Sequence, residues 1–163
     1  MKRLKQKRSK LRIQIRQMIL EDVSAVWHLG QQLFTPSSLQ YTYRTWNTDE
    51  LLSLFNNDPE LCLVAEDSSS EKIVGFSLGM ILKRPFSPWT YGYFIWAGVR
   101  KTLRRRGIGP RLYRELEKRL RLKGARIVIV DVEGSNPAGI QFVKKLGFEE
   151  AQTYFWFSKN LEQ

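Results

Sequence analysis

Apolar and polar positions alternate in the first legible element, where Ile13 and Ile15 stand between Arg12, Gln14 and Arg16. That period of two, running on to Gln17, predicts a strand with one solvated face. The period then lengthens. Glu21 and Asp22 open a segment in which Val23, Val26, Trp27 and Leu33 supply a helical stripe. The stretch 34–46 holds Pro36, Ser37 and Ser38 and predicts a loop. A second helix is expected from Asn47 or Thr48, with Leu51, Leu52 and Phe55 inward. It stops before Asp58-Pro59, because a residue preceding proline is pushed out of the helical region. Residues 61–65 read as a short buried strand, 67–70 as a turn and 72–82 as an antiparallel return. Pro85 and Pro88 bar the next connection from the sheet.

The second half has a different rhythm. Residues 91–99 form an apolar, aromatic run that predicts a buried strand, and Gly98 within it predicts a bulge or a close backbone approach. Leu112, Leu116 and Leu120 then fall one helical turn apart, with Tyr113 beside them. The expected helix is 111–123, with Pro110 at its first position and Gly124 closing it. Residues 126–132 are almost continuously apolar, as in a strand covered on both faces. A crossover helix of this kind makes strands 91–99 and 126–132 parallel. Asn136 and Pro137 begin a last helix with Ile140, Val143 and Leu146 on its apolar stripe, and Gly147 ends it. The segment 149–159, rich in Tyr154, Phe155, Trp156 and Phe157, predicts one or two final strands.

Between the strand 91–99 and the helix after it lies Arg104-Arg105-Arg106-Gly107-Ile108-Gly109. A helix N-terminus presents unpaired N–H groups and the positive end of the helix dipole, which together bind anions. Gly107 and Gly109 allow close main-chain approach, the three arginines add charge, and a pyrophosphate fits this chemistry. Two familiar phosphate loops are excluded. A Walker A loop needs Gly-Lys-Ser/Thr after its glycines, and the dinucleotide fingerprint needs a third glycine where Leu112 stands.

The pattern Arg-x-x-Gly-x-Gly from Arg104 to Gly109, followed by Asn136-Pro137-Ala138 and Lys145-Leu146-Gly147-Phe148, resembles the GNAT superfamily of N-acetyltransferases. The likeness runs from about Ile13 to the C-terminal strands and is most specific between Val99 and Phe148. It implies an α/β fold: one domain with a mixed, mainly antiparallel sheet of six to seven strands, about four flanking helices and a central parallel βαβ unit. It also implies acetyl-CoA as co-substrate, no metal, and direct acetyl transfer to a primary amine of a small molecule, a lysine or a peptide or protein N-terminus. By resemblance, the backbone of Ala97, Gly98 and Val99 lies along the pantetheine. Arg104, Arg105, Arg106, Gly107, Ile108 and Gly109 wrap the pyrophosphate. Asn136 contacts the coenzyme, and its local role is an N-cap. The region before and after the first loop shapes the acceptor site in this family, so Tyr41, Tyr43 and Trp46 either line it or cap the core. In the ribosomal-protein N-terminal acetyltransferases a glutamate on the fifth strand is the proposed base. Asp131 matches it here, with Glu133 as the alternative. Val143 stands where the family usually has the tyrosine that protonates the departing thiolate. That leaves the acid role to water or to another tyrosine such as Tyr154.

Composition adds three points. The 163 residues suffice for one core and hold a single cysteine, Cys62, so no internal disulfide forms. Cys62 and His28, the lone histidine, read as a core thiol and a helix-surface or core ring. The net charge of +11 is concentrated at the start, where Lys2, Arg3, Lys5, Lys7, Arg8, Lys10 and Arg12 precede any acidic residue. Residues 1–11 are expected to be a basic flexible arm, able to contact RNA or the ribosome or simply to aid solubility, and 12–163 the acetyltransferase domain. No apolar run is long enough to span a membrane, and the expected location is cytoplasmic. Two other readings stay open: a nucleic-acid- or ribosome-binding module, and a noncatalytic acetyl-CoA sensor on the same fold.

Overall fold

The computed structural model describes residues 11–35, 45–83 and 85–153, together with Phe155, Phe157, Lys159 and Leu161. Residues 1–10 of the expected arm 1–11, with Tyr41, Tyr43 and Tyr154, lie outside the described residues. The elements in order are β1 (Ile13–Gln17), α1 (Val23–Leu33), α2 (Thr48–Asn57), β2 (Cys62–Asp67), β3 (Lys72–Lys83), β4 (Thr90–Val99), α3 (Ile108–Leu122), β5 (Ile127–Ile129) and α4 (Pro137–Lys145). Residues up to Asp131 form one compact unit holding the sheet and α1 to α3, and residues from Val132 form a second holding α4.

Among the described residues the sheet has five strands in the order β1-β2-β3-β4-β5. The first three pairings are antiparallel, while β4 and β5 run parallel through Tyr91–Ile127, Gly92–Val128 and Tyr93–Ile129. The expected six to seven strands are not matched among the described residues, which form five. The described residues of 149–161 form no strand, and Phe155 and Phe157 are 79% and 90% exposed. Aromatic β-propensity produces a strand only where a neighbouring strand and a covered face reward it. The expected strand 126–132 is likewise cut to Ile127–Ile129, where its pairing with β4 stops.

Each face of the sheet is covered in its own way. On one face Val26, Leu29, Trp46, Leu51 and Leu54 pack with Cys62, Val64, Phe76, Leu78 and Trp96. Phe34 lies 4.7 Å from Trp96, and Trp46 lies 5.2 Å from Phe76, between ring centroids. On α2 the expected Leu51 and Phe55 face the core, Leu51 buried and Phe55 packed against the cluster, whereas Leu54 takes the inward place expected of Leu52, which is half-buried. The opposite face takes α3. There Gly75, Gly79 and Gly92 lie under Leu112, Leu116 and Leu120, and a Cβ on Gly79 would stand 3.0 Å from Leu116. Bare glycine positions thus let one helix seat close to the sheet, with its leucines at i, i+4 and i+8 filling the space. Leu116 is fully buried. Leu116→Ala is expected to destabilise the protein by about 2–5 kcal/mol, read from denaturant unfolding.

Arg16 ties β1 to the turn before α1 and to β2. Its guanidinium donates to both carboxylate oxygens of Asp22 (2.6 and 2.9 Å) and, through Nε, to Glu66 (2.6 Å). Asp22 also accepts the Ile19 N–H at 2.9 Å. Burial opposes ionisation of Asp22, but the bonds from Arg16 and Ile19 outweigh it and hold the carboxyl below its ordinary range. A depressed carboxyl contributes stability above its unfolded value, near pH ~4, and loses it as pH falls through the lowered folded value. Asp22→Asn should cost about 1–3 kcal/mol at neutral pH and flatten the acid limb of unfolding free energy against pH.

Candidate functional site

β4 is the element that opens the site. Beyond Tyr93 it keeps its antiparallel partner β3, but its parallel partner β5 has ended, so among the described strands nothing pairs with the outer edge from Phe94 to Val99. Backbone polar groups on that edge are available to a ligand. The bulge expected at Gly98 is displaced. Gly98 pairs with Phe76, and the register shift comes where Leu78 faces Trp96 and Gly79 faces Phe94, which makes Ile95 the extra residue. At Gly98 what comes close is side chains: a Cβ there would stand 2.5 Å from Leu33 Cδ1 and 3.1 Å from Phe76.

The chain leaves β4 through a short turn and enters the arginine-glycine loop. Arg104 Nε donates to the carbonyl of Val99 at 3.2 Å, fastening the loop to the strand end. Arg104, Arg105 and Arg106 are exposed. Arg105 and Gly107 both adopt positive φ, +61° and +77°. Gly107 is the N-cap of α3, so the helix begins at Ile108 and Pro110 is its third residue, not its first. Proline is tolerated there because none of the first N–H groups has an intrahelical acceptor. The first helical bond runs from Arg111 N–H to the Gly107 carbonyl at 3.2 Å. The N–H groups of Ile108 and Gly109 precede it and mark the positive end of a fifteen-residue helix. A Cβ added at Gly107 would meet nothing within 4 Å, so the main chain is laid open at that point.

Where β4 and β5 part, Tyr93 and Asp131 meet: the Tyr93 hydroxyl donates to Asp131 Oδ1. Phe94 packs on Tyr113 of α3, so its neighbour Tyr93 points to the opposite face, the one bearing α1 and α2. Asp131 follows Ile129, the register partner of Tyr93, by two residues. No sequence motif singles out Tyr93. It stands 38 positions from Asp131, and only the parallel register brings the two together.

The remaining candidates are dispersed. Glu133 lies past the strand end, in a turn where its carbonyl accepts Asn136 N–H at 2.9 Å. Asn136 caps α4, its Oδ1 accepting Gly139 N–H at 2.9 Å, with Pro137 in the first helical turn. Trp46 belongs to the core, its indole N–H donating to the Trp27 carbonyl at 3.1 Å. His28 is exposed and its Nδ1 lies 2.7 Å from the Ser24 carbonyl, a bond made within its own helix. Cys62 is buried, and burial with the charge of Asp58 pushes its thiol up to about 12, so it is not a nucleophile. Among the described residues no cluster of His, Cys, Asp or Glu is arranged to hold a metal ion, and no helix is long and apolar enough to cross a membrane.

The sequence matches the Acetyltransferase (GNAT) family over residues 25–148. The chain belongs to the GNAT acetyltransferase family. Solved structures of other proteins agree with it in fold. A point mutant of the BH1408 protein from Bacillus halodurans superposes with a TM-score of 0.77 at 19% identity, covering 90% of this chain and 99% of its own. A chain of the NatC complex bound to Gag peptide and CoA gives 0.74 at 16% identity, covering 87% of each. The aminoglycoside N-acetyltransferase AAC(6')-Iy in complex with CoA gives 0.71 at 18%, covering 92% and 96%. No curated protein matches the sequence.

Proposed function

We propose that this GNAT protein is an N-acetyltransferase that moves an acetyl group from acetyl-CoA to a primary amine, by direct transfer with both substrates bound. The observation that carries the reading is the continuity of one open surface. The unpaired edge of β4 leads past Val99 into a basic loop, and the loop ends at a left-handed glycine on the N-terminus of α3. Acetyl-CoA needs these two features in this order: extended backbone for the amide-bearing pantetheine, then N–H groups and positive charge for the pyrophosphate. Ala97, Gly98 and Val99 supply the first. Arg104, Arg105, Arg106, Gly107, Ile108 and Gly109 supply the second, and Asn136 is a further coenzyme contact.

Acetyl-CoA brings an acetyl thioester. The residues of this chain must supply a deprotonated amine, orientation, and a proton for the thiolate. Asp131 is the proposed base: its carboxylate accepts the Tyr93 hydroxyl just beyond the point where β4 and β5 diverge. Glu133 is the alternative. The neutral amine nitrogen forms a bond to the acetyl carbon while the carbon–sulfur bond breaks; the nitrogen gives its second proton to water, and the thiolate takes one proton. With Val143 in place of a hydroxyl-bearing residue, that proton comes from water or from Tyr154.

Aminoglycoside and N-terminal peptide acetyltransferases both share this fold, so the acceptor classes to test are polyamine-like small molecules and peptide N-termini. A purely nucleic-acid-binding role is disfavoured by the match to an acetyltransferase family over residues 25–148. The test is a screen of amines and peptides with acetyl-CoA, scored by thiol release and acetylated product. Turnover on any amine supports the reading. Tight acetyl-CoA binding with no turnover would favour a sensor.

A further inference from the structure

Asp131 stands just beyond β5, on backbone that belongs to no strand. The Asp131 backbone is thus held by neither a ladder nor a helix, and a base must be aimed to within a fraction of an ångström. Tyr93 is placed differently. It lies on a strand with a neighbour on each side, paired with Met80 of β3 and Ile129 of β5. Its ring therefore projects from a rigid position, and its hydroxyl reaches Asp131 Oδ1.

We infer that Tyr93 is a positioning residue for acetyl transfer, holding the Asp131 carboxylate toward the acceptor amine through its hydroxyl. This rests on the reading of Asp131 as base. The amine, entering as an ammonium ion, gives one proton to the Asp131 carboxylate, which later returns it to solvent. Tyr93 keeps its own proton throughout. Nothing in the sequence marks Tyr93 for this task, because a tyrosine in an aromatic strand reads as core. It is the register of the short parallel pairing that gives it a partner.

The experiment compares wild type, Tyr93→Phe, Asp131→Asn and the double variant on one accepted amine. Phenylalanine keeps the ring and removes only the hydroxyl, so thermal unfolding and acetyl-CoA affinity should stay as in wild type. With those unchanged, Tyr93→Phe is expected to lower kcat about tenfold while KM for both substrates moves less than about twofold. In the Asp131→Asn background the same change should cost less than about twofold, because the group it positions is gone. An undiminished kcat in Tyr93→Phe, alongside a large loss in Asp131→Asn, would overturn the positioning role and leave the base in place. Losses that multiply in the double variant would also overturn it, showing that Tyr93 acts independently of Asp131. Undiminished turnover in Asp131→Asn would remove both. If Tyr93→Phe lowers stability, the coupling is read instead from Tyr93→His, scored against Asp131→Asn in the same way.

Discussion

Asp131→Asn is expected to lower turnover by roughly two orders of magnitude while leaving acetyl-CoA affinity nearly intact. The substitution is almost isosteric, and the amide still accepts a hydrogen bond from Tyr93, so geometry is largely preserved while the ability to take a proton is lost. The loss should therefore fall on kcat. Steady-state kinetics with a saturating amine, together with calorimetric binding of acetyl-CoA, separate the two quantities. Undiminished turnover would transfer the role to Glu133 or to bulk water.

Gly107→Val is expected to weaken acetyl-CoA binding at least tenfold, about 1.4 kcal/mol. Two effects act together. Gly107 holds φ at +77°, where a side chain with a Cβ is strained by about 1–2 kcal/mol. The space around it is open, so the valine would not disturb the core but would stand where the backbone is laid bare. Folding should survive, since the neighbouring Ile108, Leu112 and Leu116 remain buried anchors of α3. Gly107→Ala should give a smaller loss of the same sign. Equal affinity for wild type and Gly107→Val by calorimetry would contradict a pyrophosphate at this loop.

Much of this arrangement is legible in the residues, and the exceptions have physical causes. The alternation at Ile13–Gln17 and the leucine period from Leu112 to Leu120 report burial directly, because each repeats over several positions. Helix α3 starts at Ile108, three residues ahead of the start expected at Arg111. Proline is equally comfortable anywhere among the first unpaired N–H groups, so Pro110 does not mark the first of them. The bulge at Ile95 carries no residue signature, whereas Gly98 carries one for a different reason, the close approach of Leu33. The apolar run from Arg126 suggests seven residues of strand, but length is set by the partner, and β4 pairs only three of them. The arginine-glycine loop before α3 is legible as a loop because its glycines and charges are local. The Tyr93–Asp131 bond is not, because it joins two segments through a register that no local pattern encodes.

The central claim is transfer from acetyl-CoA to an amine on the open edge of β4. The most direct measurement incubates the full-length protein with acetyl-CoA and a panel of small amines and peptide N-termini, detecting free thiol and acetylated product together. The expected result is thiol release matched by acetylated amine for at least one acceptor, reduced by both Asp131→Asn and Gly107→Val. Failure to bind acetyl-CoA, or binding without transfer to any amine in the panel, would contradict it.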